Sequence, residues 1–394
     1  MKILKYPYSK PDLTKDDTDE VLKALKSQYL TQGEIVKKFE GEIKKKLKVK
    51  EAVICNSGTA ALHSVYRSLG LDKINGIITT PITFLATANA AKMCNAPLHF
   101  ADVDPISGLI TPQTLEQAFQ RVKFKVKVVT VVHLGGNLCN LKELYKIAKK
   151  YDSFLVEDAC HALGANYSDS RKKSYPIGSC KYSIASTFSF HAIKNITMGE
   201  GGCITTNNFK LSEKIRLNIS HGMIRDKTKM VNPPKKESWY YQMQDIGWNY
   251  RASEISCALG LSQFKRINQI IAKRVKIAKF YKKYIQKNKY INYPEMTHTP
   301  NKLGWHLFQL LIDFRKLGST KENFIQYMKK KSIGTQVHYI PLILQPYYKN
   351  LYIKGCYKGA LSFYEKTISI PMYTSLTEND VRYIAEEINR YFDK

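Results

Sequence analysis

The chain has 394 residues, 44% of them hydrophobic and 24% charged, which is typical of a globular protein long enough for two domains. Because it has no apolar run of about 18 residues and no signal-peptide core at its N-terminus, we expect a cytoplasmic protein without a membrane span. The formal net charge of +29 is spread along the chain without a nucleic-acid-binding motif, so we interpret it as a solvated surface, or as a field for a small anion, rather than as a nucleic-acid site.

Short apolar segments alternate with segments of helical periodicity between residues 52 and 206. Strands are predicted at Gly76–Thr80, Pro97–Ala101, Val126–Val132 and Ser153–Glu157, and helices at Thr59–Ser68, Leu115–Arg121 and Leu141–Lys150. This alternation predicts an α/β domain with a mostly parallel sheet that helices cover on both faces. In such sheets ligands bind beyond the carboxyl ends of the strands.

The pattern changes after Arg251. A long basic helix is predicted from Ser253 to Gln286, followed by strands at Leu307–Asp313 and Gly334–Tyr339 and an amphipathic helix at Glu378–Phe392. We therefore predict a large α/β domain over residues 1–250. Residues 251–394 are predicted to form the long helix and a smaller α+β domain.

Lys194 follows an apolar β-segment and precedes a glycine-rich turn, Gly199–Gly202. A lysine in this position would lie in a partly desolvated cleft, where desolvation lowers the pKa of the amine and makes it a nucleophile for Schiff-base chemistry. The alternative interpretation is a solvated surface lysine. The neighbouring segments must decide between the two.

Two segments favour a bound anion and a bound ring. Gly58 and Thr59 open a predicted helix, where unpaired backbone N–H groups favour a phosphate; the alternative is an ordinary helix cap. Asp158 ends a buried strand, where it could pair with a protonated ring nitrogen while Cys160, on the same face, packs beneath the ring. The alternative for Asp158 is a structural ion pair.

Two further segments carry groups that suit the same ligand. Phe84, in a strand-to-helix turn, could stack on a planar cofactor, although core packing is the alternative. Asn249 and Arg251 precede the long helix and could bind phosphate or carboxylate, with a helix-start cap as the alternative.

The cysteine pattern argues against two other classes of site. The eight cysteines include no Cys-x-x-Cys pair, a spacing that favours neither a disulfide framework nor zinc binding. We therefore expect no metal site.

The order of these segments is similar to that of the fold-type I pyridoxal-phosphate (PLP) enzymes, and the sequence resembles the DegT/DnrJ/StrS-type nucleotide-sugar aminotransferases over nearly the full chain. The strings that carry the resemblance are Asn56–His63, Glu157–Gly164, Phe188–Lys194, Gly199–Gly202 and Gly247–Arg251. Within the family, Leu30–Gly33, Thr80–Phe84, Ser220–Gly222, Ala258–Ser262 and Gln336–Pro341 are most similar to members that act in pseudaminic acid biosynthesis. Those members aminate C4 of a UDP-linked 4-keto-6-deoxy-N-acetylhexosamine.

The resemblance implies a PLP site in the large domain. It implies that Lys194 binds the cofactor covalently and then carries a proton, and that Asp158 keeps the ring nitrogen protonated. Phe84 would stack on the ring and His161 would lie near its edge. The implied phosphate ligands are Gly58, Thr59 and Ser189.

The resemblance also implies partners. Asn249, with Arg251, would reach the phosphate of the neighbouring subunit's cofactor, so the active unit would be a homodimer. Thr31, Gln32 and His338 would contact the UDP-sugar, and L-glutamate would be the amino donor. Two departures from the family pattern are Asn195, in place of the commoner proline, and His133–Leu138, which bears on substrate contacts.

Three alternatives to this function stay open in the sequence. A PLP-dependent sugar dehydratase is disfavoured because such relatives replace the lysine with histidine, whereas Lys194 is present. A non-catalytic nucleic-acid-binding regulator is disfavoured by the set of Asp158, Ser189 and Lys194. The third is an aminotransferase for another nucleotide-linked 4-keto sugar, because sugar stereochemistry depends on a few loop contacts.

Overall fold

The computed structural model describes residues 4–169, 173–299 and 302–393. The helices are α1 (Lys15–Leu25), α2 (Glu34–Leu47), α3 (Gly58–Ser68), α4 (Leu85–Met93), α5 (Pro112–Arg121), α6 (Leu141–Lys150), α7 (Phe209–Asn218), α8 (Glu254–Lys265), α9 (Ile267–Tyr284), α10 (Lys321–Lys330), α11 (Lys358–Lys366) and α12 (Glu378–Phe392). The strands are β1 (Glu51–Cys55), β2 (Asn75–Thr79), β3 (Leu98–Phe100), β4 (Lys125–Val132), β5 (Phe154–Asp158), β6 (Asn166–Ser168), β7 (Ser174–Pro176), β8 (Ala185–Ser189), β9 (Gly202–Thr206), β10 (Met223–Ile224), β11 (Gln242–Met243), β12 (Ile291–Asn292), β13 (Phe308–Ile312) and β14 (Thr367–Ile370). Within these ranges no helix has both the length and the apolar character needed to cross a bilayer.

A seven-stranded sheet forms the centre of the molecule, with the strand order β1-β9-β8-β5-β4-β2-β3. Six strands run in one direction, and β9 is antiparallel to both of its neighbours. The central strands of the sheet are buried almost throughout, as expected of an apolar sheet covered on both faces. The predicted mostly parallel α/β sheet is therefore confirmed. The carboxyl ends of the six parallel strands lie at one edge, where a ligand is expected.

The predicted elements before residue 206 are all present with small shifts of boundary. Each of the four predicted strands overlaps one of β2 to β5, and the predicted helices overlap α3, α5 and α6. The periodicity succeeds here because these elements bury a continuous apolar face.

Two predicted elements after residue 251 are wrong. The single helix predicted from Ser253 to Gln286 is two helices, α8 and α9, separated at Arg266. At this break the Arg266 guanidinium contacts the buried Asp17 carboxylate at 2.6 Å. The strand predicted at Gly334–Tyr339 is absent, because only Gln336 makes a bridge, to Ser369.

A three-stranded antiparallel sheet, β12-β13-β14, forms a second layer near the C-terminus. The start of the chain joins this layer, since Tyr6 pairs with Ile333 and the Met372 N–H donates to the Tyr8 carbonyl at 3.0 Å. The Ser9 hydroxyl donates to the Ile193 carbonyl at 3.3 Å, next to Lys194. The domain boundary at residues 250 and 251 stays a prediction.

Candidate active site

A cavity of about 620 Å³ opens at the carboxyl edge of the large sheet, where β5 and β8 end. Eight of the residues predicted from the sequence to bind cofactor or substrate line this cavity: Gly58, Thr59, Phe84, Asp158, His161, Ser189, Lys194 and His338. Residues far apart in sequence meet there because parallel strands present their carboxyl ends together.

Lys194 lies in the turn after β8, where its backbone N–H donates to the His191 carbonyl at 2.9 Å. Burial lowers the pKa of the Lys194 amine, and negative charge at Cys160 and Asp158 partly opposes that effect. None of the described residues hydrogen-bonds the amine. A lysine in this setting is not a solvated surface residue, and its neutral form is available for bond formation.

Asp158, at the end of β5, is 6% exposed. Its carboxylate accepts a hydrogen bond from the Thr87 hydroxyl at 2.6 Å and another from the Cys160 N–H at 3.2 Å. Thr87 is itself paired with Thr83 at 2.8 Å. No cationic side chain of the described ranges forms an ion pair with Asp158, so the structural ion pair considered from the sequence is not formed. A carboxylate held in this way can accept a cationic ligand group.

Adjacent Glu157 points to different partners. Its carboxylate accepts hydrogen bonds from Ser186 at 2.8 Å and from Ser183, and it pairs with His133 at 3.1 Å. The His133 Nδ1 accepts from the Cys139 N–H at 3.1 Å, so its Nε2 carries the hydrogen that faces Glu157. Glu157 is therefore fully committed to the core.

The N-terminus of α3 forms one end of the cavity. Ser57 caps the helix by accepting from the Ala60 N–H at 3.1 Å, which leaves the N–H groups of Gly58 and Thr59 at the open helix end. Gly58 lies against Ser189 so closely that a Cβ there would stand 2.9 Å from the Ser189 Cβ. Open N–H groups beside a serine form a site suited to a phosphate.

Aromatic and imidazole rings form the facing wall. Phe84 is 57% exposed at the cavity mouth, so it does not fill the core, and its ring centroid lies 6.1 Å from that of Tyr339. The Tyr339 hydroxyl lies 3.1 Å from His161 Nε2. His338 Nδ1 lies 2.8 Å from the Ser369 hydroxyl, and burial lowers the pKa of His338 to about 3. The imidazoles of this wall are neutral.

The other predicted residues lie outside the cavity wall. Thr31 and Gln32 are exposed, and Thr31 bridges to Ser253. Asn249 is also exposed and bridges to Ser220, whose hydroxyl accepts from Arg251 at 3.1 Å. The structure thus brings these residues near one stretch of backbone but not into the same subunit's cavity.

Glu254 connects the segment around Thr31 and Gln32 to the start of α8. Its carboxylate, 2% exposed, accepts from the backbone N–H groups of Gly33, Ile35 and Val36 at 2.9, 2.7 and 3.3 Å. Its own N–H donates to the Leu30 carbonyl at 2.8 Å. The start of α2 is therefore fixed beside the start of α8.

The two departures from the family pattern have different positions. The Asn195 amide donates to the Leu163 and Gly304 carbonyls at 2.9 and 2.8 Å, which anchors the segment that follows Lys194. Residues 133–138 do not line the cavity. Within the described ranges, no three His, Cys, Asp or Glu side chains are grouped so that they could hold a metal ion.

Among the lining residues that sequence reasoning missed, three carry polar groups important to the site: Tyr8, Thr87 and Tyr339. Thr87 and Tyr339 lie within or beside quoted strings, but their polar contacts depend on the tertiary fold. Tyr8 carries no local signal at all.

The chain is similar in sequence and fold to known aminotransferases. The UDP-4-amino-4,6-dideoxy-N-acetyl-beta-L-altrosamine transaminase of Campylobacter jejuni subsp. jejuni serotype O:2 is 35% identical over 98% of this chain and 97% of that protein. Helicobacter pylori PseC, described as an aminotransferase involved in the biosynthesis of pseudoaminic acid, has a solved structure with a TM-score of 0.88 and 33% identity, covering 98% of this chain and 99% of that one. A Streptococcus pneumoniae structure described as the PLP-form of a sugar aminotransferase matches with a TM-score of 0.86 and 26% identity, covering 98% of each chain.

The family pattern itself extends over residues 11–389. It includes all seven strands of the large sheet and every cavity-lining residue named above except Tyr8. With relatives at this identity over nearly the whole chain and a fold in common with their solved structures, the chain belongs to the DegT/DnrJ/EryC1/StrS aminotransferase family.

Proposed function

We propose that the protein is a PLP-dependent aminotransferase that moves an amino group from L-glutamate to C4 of a UDP-linked 4-keto-6-deoxy-N-acetylhexosamine, as in pseudaminic acid-type biosynthesis. The observation that carries the proposal is a desolvated, half-buried lysine in the same cavity as a buried carboxylate; among the described residues, the amine has no hydrogen-bond partner and the carboxylate forms no ion pair. The names of the C. jejuni and H. pylori relatives support the sugar class.

The residues of the cavity fit PLP. The open N–H groups of Gly58 and Thr59, with Ser189, suit a phosphate dianion, and the close approach of Gly58 to Ser189 leaves no room for a side chain. Asp158 offers a carboxylate for a protonated ring nitrogen. The exposed Phe84 ring offers an apolar face for a planar group.

The chain's residues divide the work between binding and proton transfer. When bound, PLP supplies the reactive carbonyl and the electron sink. Lys194 would hold that carbonyl covalently, and its amine, whose pKa is lowered, would then accept and return a proton. Asp158 would pair with the ring nitrogen, and the hydrogen bond from Thr87 holds the Asp158 carboxylate in place.

We propose further that the active unit is a homodimer with shared sites. Asn249 and Arg251 carry polar groups suited to a phosphate, yet lie outside their own subunit's cavity. The preceding segment exposes apolar side chains, among them Trp239, 74% exposed, and Met243, 66% exposed. A surface of this kind is typical of a protein interface.

The decisive test of the reaction is incubation with L-glutamate, PLP and a panel of UDP-4-keto-6-deoxy sugars. We expect a yellow protein with a band at about 420 nm from the lysine-linked cofactor and a mass increase in one sugar of the panel. Lys194→Ala should lose both the band and the turnover. A wild-type protein that binds no PLP would contradict the proposal, and the product's stereochemistry would identify the sugar.

The dimer has its own test. Asn249→Ala should weaken PLP binding while leaving the subunit fold intact, because the side chain is exposed in its own subunit. An active monomer in analytical ultracentrifugation, or unchanged PLP affinity in Asn249→Ala, would refute the shared site.

A further inference from the structure

Both ring nitrogens of His161 are committed to hydrogen bonds. The Gly135 backbone N–H donates to Nδ1 at 3.2 Å, and a backbone N–H can only donate. Burial lowers the pKa of His161 well below its ordinary value, and the positive charge of Lys194 acts in the same direction. The ring is therefore neutral, its hydrogen is on Nε2, and that N–H donates to the Tyr339 hydroxyl oxygen at 3.1 Å.

This arrangement fixes the direction of the Tyr339 hydroxyl. Because its oxygen accepts from His161, its own hydrogen must point elsewhere. The hydroxyl makes no further hydrogen bond with the residues that the structure describes, and Tyr339 lines the cavity between Phe84 and His161. Burial raises the pKa of the Tyr339 hydroxyl well above its ordinary value, so the oxygen keeps its hydrogen. The cavity thus contains a neutral hydroxyl whose hydrogen can be donated to a bound ligand.

The surrounding residues fix the hydrogen-bonded chain that runs from the Gly135 N–H through His161 to the Tyr339 hydroxyl, called the relay below. Gly135 has φ of +65°, and a Cβ there would lie 2.7 Å from the Gln309 Oε1. Gln309 also donates to the carbonyl of His338 at 3.3 Å, so its side chain lies beside both Gly135 and the residue that precedes Tyr339. His306 packs on the His161 ring at 4.4 Å between centroids. The donor is pre-organised, which is what carbonyl polarisation requires.

The charge of the wall indicates which substrate the donor suits. An amino acid donor carries carboxylates, which are recognised by cations. Among the described residues, the rings that flank Tyr339 carry no charge, since His161 and His338 are neutral and Phe84 is apolar. A neutral donor beside neutral rings suits an uncharged carbonyl oxygen.

We propose that Tyr339 is a catalytic residue that donates a hydrogen bond to the 4-keto oxygen of the sugar, with His161 as the positioning residue that aims it. This assignment rests on the proposed aminotransferase function. The hydrogen bond draws electron density from the carbonyl carbon and stabilises the negative charge that grows on the oxygen when nitrogen attacks.

The test separates the two half-reactions of the PLP-loaded dimer by stopped-flow absorbance. Tyr339→Phe should slow the transfer to the keto sugar by on the order of 100-fold, the usual effect of losing one such donor. It should change the transfer from L-glutamate by less than about threefold, since no substrate carboxylate contacts Tyr339 in the proposal. Tyr145→Phe removes a hydroxyl from the surface of α6 and serves as the control, with both half-reactions unchanged.

A second measurement does not depend on turnover. In ¹⁵N-histidine-labelled protein, His161 should be the neutral form protonated at Nε2, and Tyr339→Phe should shift that N–H signal by removing its acceptor. His161→Gln, which keeps an acceptor and a donor, should retain more of the sugar half-reaction than His161→Leu.

Three results would overturn the assignment. Equal slowing of both half-reactions in Tyr339→Phe would place Tyr339 on the cofactor instead of the sugar. A His161 protonated at Nδ1 would reverse the relay. A wild-type enzyme that takes the amino group from glutamate but passes it to no keto sugar would refute the proposed substrate and this role together, whereas a protein that loads no PLP refutes the proposed function first.

Discussion

Replacing Gly58 with alanine should damage the candidate phosphate site without unfolding the protein. Gly58 opens α3, and its φ lies in the ordinary region, so helix propensity alone favours alanine by about 0.5 to 1 kcal/mol. The new Cβ, however, would stand 2.9 Å from the Ser189 Cβ and 3.3 Å from its hydroxyl oxygen. The substitution should therefore strain the phosphate site while slightly favouring the helix.

The size of the effect follows from that contact. Carbon atoms normally pack at about 3.5 to 4.0 Å, so the helix start and Ser189 must separate by roughly 0.6 to 1.1 Å. A displacement near 1 Å in a group that positions a reactant costs on the order of 100-fold in rate. We expect PLP affinity and the glutamate half-reaction to fall by about 10- to 100-fold.

Two assays and one matched variant check this prediction. PLP binding is measured by absorbance titration of the apoprotein, and folding by thermal unfolding of the same samples. Gly41→Ala, in the middle of α2 with nothing within 4 Å of the new Cβ, is the control and should gain stability without any change in PLP affinity. Wild-type affinity and rate in a folded Gly58→Ala protein would refute the reasoning.

Three other predictions test different parts of the molecule. Glu254→Gln should lower the free energy of unfolding by about 2 to 4 kcal/mol, because an amide N–H₂ would face the Ile35 N–H; a change under about 0.5 kcal/mol in chemical denaturation would contradict it. Apoprotein mixed with PLP should acquire the band at about 420 nm at a rate that rises with pH. The midpoint of this rise should lie below the ordinary lysine pKa of 10.5, because burial lowers the pKa of Lys194 and only the neutral amine reacts. A midpoint at or above the ordinary value would show a solvated amine. Gly359→Ala should destabilise the protein by more than about 3 kcal/mol, because its Cβ would lie 1.8 Å from the Val103 carbonyl oxygen; Gly41→Ala is again the control in thermal unfolding.

The part of the site that depends on strand order was predictable from sequence. Asp158 and Lys194 follow apolar strands, and parallel strands present their carboxyl ends at one edge, so their proximity follows from the alternation of elements. Gly58 and Thr59 follow the same rule at a helix start. Their meeting in the cavity could therefore be predicted without knowing any side-chain contact.

The remainder depends on contacts that no local pattern encodes. The Thr87 hydroxyl reaches Asp158 across 71 residues of sequence separation, and Tyr339 reaches His161 across 178. The break between α8 and α9 also escaped prediction, because buried apolar residues continue at helical spacing on both sides of it. The assignment of Asn249 to a neighbouring subunit's cofactor stays a prediction.

The link between the two ends of the chain has a consequence for synthesis on the ribosome. Tyr8 lines the cavity and is held by a bond from Met372, while Tyr6 pairs with Ile333. A nascent chain emerges N-terminus first, at about 5 to 20 residues per second. Tyr8 therefore waits through most of translation before its partners exist. The large sheet can form co-translationally, but the pocket can acquire its final wall only after the last strand has left the exit tunnel.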